Sequence, residues 1–321
     1  MKLQTQIPLQ KQSKNLIDYD SNILLMGSCF VENIGDKFDY YKFQNLQNPF
    51  GVLFNSIAIE TLVSNAINGT FYSDNDVFFH NEQWHCFDTH SKLSAPSKED
   101  LLQNLNQCIS ATNKQINKST HIIITLGTAW VYKHKETSRF VANCHKVPQS
   151  QFDKVLLSVH DIVKSLETMV SLIHSENPKA TIIFTVSPVR HIKDGFVENT
   201  QSKAHLISAI HQIINNQSPA INHQLVYFPS YEIMMDELRD YRFYAQDMLH
   251  PNQIAINYIW EKFANVWISE QAFGVMNEVD IIQKGIAHKP FNPNSEAHKA
   301  FLESLEMKKN SLKSKIPHIS F

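Results

Sequence analysis

The chain has 321 residues, 43% of them hydrophobic and 19% charged, with a formal net charge of −2 from 29 basic and 31 acidic residues. This is a globular composition with an ample core and room for one large domain or two smaller ones. Its mixed, near-neutral charge argues against nucleic-acid or membrane-surface binding, which needs a basic stripe. The four cysteines, Cys29, Cys86, Cys108 and Cys144, form no Cys-x-x-Cys pair, so neither a zinc ribbon nor a disulfide framework is expected. Met1 to Lys14 lacks the apolar core of a signal peptide and no run reaches transmembrane length. A cytoplasmic protein with reduced thiols and no metal or cofactor is the expectation.

Residues 1–21 are polar and read as an extended lead-in. Ile23-Leu24-Leu25-Met26-Gly27 reads as a short buried strand, and Val31, Ile34 and Phe38 recur behind it at helical spacing. Ser28 and Cys29 therefore occupy a tight strand-to-helix turn. Open α/β sheets bind ligands at this end of their strands. A thiol facing a helix N-terminus also has its pKa lowered below the free value of about 8.5. The turn alone fits a buried structural cysteine equally well.

Gln47-Asn48-Pro49-Phe50-Gly51 marks a turn, and Ile57 to Ile67 predicts a helix ended by Asn68-Gly69. Val77-Phe78-Phe79 and Gln83 to Phe87 predict a hairpin; Glu82 and His85 within it read as surface residues. Ser97 caps a helix over 98–117, with Leu101, Leu102, Leu105 and Ile109 buried. His121 to Gly127 is a second buried strand that ends on glycine. Trp130-Val131-Tyr132 and Arg139 to Ala142 make a small excursion, and the spacing from Phe152 to Ile173 predicts a long helix over 151–176. Thr181 to Val186 is a third strand, 200–217 a helix, Leu225 to Phe228 a fourth strand, and Asn252 caps a helix over 253–268. Asp236, Glu237, Arg239 and Asp240 read as an exposed helix face, and a Lys/Glu-rich helix over 295–314 as an appendage. Strands alternating with helices predict a mostly parallel sheet covered on both faces.

Asp247-Met248-Leu249-His250-Pro251 follows the last strand. On a short turn, acid and imidazole three residues apart meet, fixing the tautomer and leaving Nε2 as a general base. The only other acid-x-x-His string is Glu82 to His85. Position separates the two, because Asp247 and His250 are expected on the same sheet edge as Gly27. Arg190, His191, Lys193, Asp194 and Lys203 follow the third strand, either as a solvated loop or as substrate contacts. Tyr241-Arg242-Phe243-Tyr244 reads as a packed wall of the site. Cys144-His145 does not have the spacing of a zinc ligand pair.

Gly27-Ser28-Cys29-Phe30, with Val31 next, resembles the motif that names the GSCFA family. Asn48-Pro49-Phe50-Gly51, Leu126-Gly127-Thr128, Asn143-Cys144-His145-Lys146, Ser187-Pro188-Val189-Arg190-His191 and Asp247 to Pro251 extend the resemblance over about residues 20–270. More distantly the chain is similar to the SGNH (GDSL-like) hydrolases. The resemblance implies a three-layer α/β/α sandwich with a flavodoxin-like sheet over 22–270, preceded by the lead-in and followed by a helical appendage over 271–321. It also implies ester or acyl-transfer chemistry. Against Gly-Asp-Ser, Ser28 replaces Asp and Cys29 takes the position of the nucleophile. Either Cys29 attacks or the turn is re-aimed and Ser28 attacks; Cys29 is preferred, because a one-residue shift swings the side chain away. The superfamily's Gly-x-Asn-Asp becomes Gly127-Thr128-Ala129-Trp130, so the oxyanion-binding Asn is missing. Thr128 or Asn143 is the replacement expected, together with the Gly51 N–H.

Two functions follow. One is an acyl hydrolase or acyltransferase with a Cys29 (or Ser28)–His250–Asp247 triad, acting on a small-molecule or carbohydrate acyl ester that Arg190, His191, Lys203 and His145 contact. The other is a non-catalytic binding protein with a degraded oxyanion hole.

Overall fold

The computed structural model describes residues 4–217 and 224–321, so residues 1–3 of the expected lead-in lie outside the described residues. The apolar runs become strands because each can be buried on both faces. β1 (Asn22–Gly27) leads into α1 (Phe30–Tyr40), β2 (Gln44–Gln47) and α2 (Ser56–Asn68). The hairpin β3 (Val77–His80) and β4 (Gln83–Cys86) precedes α3 (Lys98–Lys118) and β5 (His121–Leu126). β6 (Trp130–His134), β7 (Phe140–Val141) and β8 (Phe152–Leu156) form a separate antiparallel sheet. Then come α4 (Val159–Glu176), β9 (Thr181–Val186), α5 (Phe196–Asn215), β10 (Leu225–Tyr227) and the single turn α6 (Ser230–Glu232). The chain ends in α7 (Gln253–Trp267), α8 (Glu270–Ala287) and α9 (Glu296–Lys315).

The main sheet is parallel, in the order β10-β9-β5-β1-β2. Read from β2, this is the flavodoxin-like order, whose ligand crevice opens at the carboxyl ends of the two central strands, here β1 and β5. Side chains alternate across the sheet. Leu24, Met26, Ile122, Ile124, Ile182 and Phe184 join a core with the buried residues of α2, α3, α4 and α5. Ile23, Leu25, Ile123 and Ile183 join another with Phe30, Ile34 and Phe38 of α1, Ile259, Trp260 and Phe263 of α7, and residues of α8 and α9. The fold is a three-layer α/β/α sandwich.

The capping residues perform as their chemistry predicts. Ser97 accepts from the Asp100 N–H, and Asn252 accepts from the Ile254 and Ala255 N–H groups. Two strands differ from expectation. Residues 152–156 form β8 rather than the start of a helix, because Ser158 and Asp161 make a capping box that starts α4 at Val159, leaving Phe152 to Leu156 to pair with β6. β2 carries no periodic signal in the sequence, its only large apolar residue being Leu46; it forms because β1 offers a parallel edge.

Candidate active site

β1 delivers Gly27 to the crevice with φ at +138°, and a Cβ there would meet the Thr125 carbonyl oxygen of β5 at 2.1 Å. Only glycine fits. The Gly27 N–H donates to Asn48 Oδ1 at 2.9 Å, and its carbonyl accepts from Leu53 N–H at 2.9 Å. These bonds lock the turn between the β1 and β2 loops. Ser28, next in line, is fully buried, and its Oγ meets no hydrogen-bond partner among the described residues. Cys29 is the N-cap of α1 and is partly exposed. Its N–H reaches no backbone acceptor among the described residues, and the N–H groups of Cys29 and Phe30 are turned to the sulfur.

The thiol is not the lowered one that a helix N-terminus predicts. Burial, followed by the nearby Glu32 carboxylate, pushes its pKa above the ordinary thiol value. The Lys203 ammonium and the two N–H groups pull the other way without prevailing. Cys29 therefore rests as a neutral thiol that needs a base.

His250 and Asp247 meet as their spacing predicts. The imidazole Nδ1 lies 2.5 Å from Asp247 Oδ2, while Oδ1 accepts from the Leu249 and His250 N–H groups at 2.9 and 3.0 Å. Those backbone donors, then the imidazole, hold the Asp247 carboxyl down at about 2. Glu82–His85 differs. Glu82 is exposed, but His85 is buried rather than on the surface, with Nδ1 2.6 Å from Ser94 Oγ and Nε2 2.9 Å from the His80 carbonyl.

Lys203, expected to contact substrate from a loop, lies on the inner face of α5 and is fully buried. Its Nζ donates to the carbonyls of Gly127 and Ser187, both at 2.7 Å, tying together the chain just past β5 and β9. Burial pushes its pKa down to about 7; a Cys29 thiolate would raise it, and the Arg190 guanidinium lowers it. His191 lies against Phe54, ring centroids 5.1 Å apart at 80°, and a Cβ on Gly127 would stand 3.2 Å from its Nε2. That nitrogen is buried with no partner among the described residues. Burial, then the charges of Lys203 and His250, lower the His191 pKa to about 4. Cys29 follows β1, Arg190 and His191 follow β9, Lys203 is bonded to the carbonyls just past β5 and β9, and Arg190 shares a cleft with Leu249, next to His250, so these groups lie at the carboxyl edge of the sheet.

The expected oxyanion donors are already engaged. The Gly51 N–H donates to the Asn48 carbonyl at 2.8 Å, closing its own turn. Thr128 donates its N–H to the Phe54 carbonyl at 3.0 Å, and its hydroxyl accepts from Trp130 N–H at 3.0 Å and meets Ser202 at 3.1 Å. Asn143 accepts from His145 N–H at 2.8 Å and donates to Ser91 Oγ at 3.0 Å. His145 does not face the site: it is buried against His85, with Nε2 2.7 Å from the Cys86 carbonyl. Glu237 is likewise not on an exposed face but buried, hydrogen-bonded to Tyr258 and 3.1 Å from Lys262 Nζ.

Arg190 remains open to a ligand. Asp194 pairs with Lys154 at 2.6 Å, and the polar contact of Arg190 is Met235 Sδ at 3.2 Å. The guanidinium lines a cleft of about 340 Å³ with Tyr241, Tyr244, Met248 and Leu249, next to His250 in the chain. Tyr241 and Tyr244 thus form part of a wall, as expected, but Tyr241 is largely exposed. Among the described residues no helix is long and apolar enough to cross a membrane.

No curated protein matches this chain. Among solved structures, the chain is similar to an acetyl esterase crystallised with acetate ion, at 11% identity and TM-score 0.37, covering 81% of this chain and 99% of that one. It is also similar to a carbohydrate esterase family 3 protein from Talaromyces cellulolyticus (9% identity, TM-score 0.37, covering 80% and 99%). A third is an acetyl xylan esterase from Butyrivibrio proteoclasticus (8% identity, TM-score 0.39, covering 85% and 66%). Residues 279–321 match the GSCFA domain protein, C-terminal domain, and residues 22–263 match the GSCFA family. With most of its length matched, the chain belongs to the GSCFA family.

Proposed function

We propose that this protein is an SGNH-type acyl hydrolase or acyltransferase acting through Cys29, His250 and Asp247. The observation that carries the reading is the His250–Asp247 pair, 2.5 Å apart, beside a cleft that Leu249 shares with Arg190 at the carboxyl edge of the sheet where the half-buried Cys29 also lies. Asp247 holds the proton on Nδ1, so Nε2 takes the thiol proton as Cys29 attacks the acyl carbonyl. A thiol whose pKa is raised is activated only when the base removes its proton, which limits idle oxidation. Full burial of Ser28 supports Cys29, rather than Ser28, as the attacking group. The cleft beside His250 takes the rest of a small-molecule or carbohydrate acyl ester, with Arg190 holding an anionic group on it.

The engagement of Gly51, Thr128 and Asn143 favours a second reading, a binding protein that keeps the fold without turnover. A panel of p-nitrophenyl esters and acyl thioesters, run with iodoacetamide labelling of Cys29, separates the two. Turnover abolished by labelling is the expected result. A protein with no turnover and an unreactive Cys29 is the binding module.

A further inference from the structure

The acyl-transfer reading leaves a chemical gap. When Cys29 Sγ bonds to the acyl carbon, its proton passes to His250 Nε2 and the carbonyl π pair moves onto oxygen. Collapse re-forms the C=O bond and expels the leaving group, which takes the proton back from His250. The transient oxyanion needs donors. The Cys29 N–H, turned to its own sulfur and without a backbone acceptor among the described residues, is one; the second is not Gly51, Thr128 or Asn143.

We propose that the second donor is His191, whose Nε2, buried and without a partner among the described residues, donates to the oxyanion. The proposal rests on the acyl-transfer reading. A buried polar atom without a partner loses roughly 1–3 kcal/mol of solvation, so its retention at the mouth of the sheet needs a reason. Gly127 supplies the approach, because a Cβ there would crowd His191 Nε2 at 3.2 Å at the carboxyl end of β5, beside β1. Lys203 donates to that same glycine's carbonyl at 2.7 Å, and its charge acts on His191. Burial, and after it the charges of Lys203 and His250, disfavour the imidazolium and keep His191 neutral at physiological pH. A neutral imidazole used as an electrophile is an established solution to this problem.

Asn48 Nδ2 is also buried and without a partner at this edge. Its amide oxygen is committed to the Gly27 N–H, on the β2 side of β1, whereas His191 adjoins Arg190, which lines the same cleft as Leu249, next to the base His250. Lys203 is then a positioning residue that acts through His191 and the Gly127 carbonyl.

The test compares His191→Leu and His191→Gln for thioester turnover and for alkylation of Cys29 by iodoacetamide, which displaces iodide and forms no oxyanion. The donor role predicts that His191→Leu lowers kcat by roughly 10²–10³. Its alkylation rate stays within twofold of the wild type, and His191→Gln recovers at least tenfold of the lost kcat through its amide N–H. Turnover by His191→Leu within threefold of the wild type overturns the proposal and leaves the acyl-transfer reading standing. So does alkylation that falls in step with turnover, which would make His191 a support for the thiol. A wild-type protein that turns over no ester or thioester overturns both.

Discussion

Gly27 Cα stands so close to β5 that a Cβ there would lie 2.1 Å from the Thr125 carbonyl oxygen. That oxygen also accepts the Ser28 N–H at 3.0 Å, so it cannot retreat without releasing the turn that carries Cys29. With φ at +138° as well, Gly27→Ala is expected to cost on the order of 3 kcal/mol or more in urea unfolding. A loss below 1 kcal/mol would mean that β1 and β5 part easily.

Ser28 and Cys29 differ in burial, and their alanine variants should differ accordingly. Cys29→Ala is expected to abolish thioester turnover. Ser28→Ala should retain a measurable rate and nearly full stability, because its hydroxyl has no hydrogen-bond partner to lose among the described residues. Turnover lost only in Ser28→Ala would reassign the nucleophile.

Asp247 is exposed, and its part lies in orientation rather than stability. Asp247→Asn should lower kcat by up to roughly 10⁴ with melting unchanged, since it frees the wrong imidazole tautomer. Because its carboxyl titrates at about 2, Asp247 stays ionised throughout any practical pH–rate profile. An acid limb that disappears from the profile of Asp247→Asn would contradict this assignment.

Arg190 lines the cleft beside His250 without a carboxylate partner among the described ion pairs. Arg190→Met should raise KM for an acyl substrate bearing a carboxylate by tenfold or more, and for a neutral analogue by less than threefold. Equal changes for both would make the guanidinium a support for the Met235 side of the cleft.

Buried histidines make the fold acid-sensitive. Burial lowers His121 and His145 to about 4 from an ordinary value near 6.5. Between those pH values the unfolded chain binds protons that the folded one excludes, so stability is complete above about 6.5 and is lost as pH falls toward 4. Each group contributes at most about 1.4 kcal/mol per pH unit. Urea midpoints at pH 7.5 and 4.5 test this. His121→Gln should lose less stability on acidification than the wild type; an equal loss would assign the acid sensitivity elsewhere.

The sheet and most helices were legible because their signals are local. Ile23 to Met26, His121 to Leu126 and Thr181 to Val186 are runs buried on both faces, and Ser97 and Asn252 cap helices through their own side chains. The Asp247–His250 pair was legible for the same reason, since a three-residue turn brings the groups together. What needed the tertiary structure depends on groups remote in sequence. Lys203 reads as a loop charge until α5 packs it onto the Gly127 and Ser187 carbonyls, 76 and 16 residues away. Glu237 reads as exposed until Tyr258 and Lys262 cover it. The Cys29 thiol rose because burial outweighs the helix terminus, and burial is not written in neighbouring residues. Which donors are free was decided in the same way: Gly51, Thr128 and Asn143 have the right chemistry, but partners brought by the fold have already taken it.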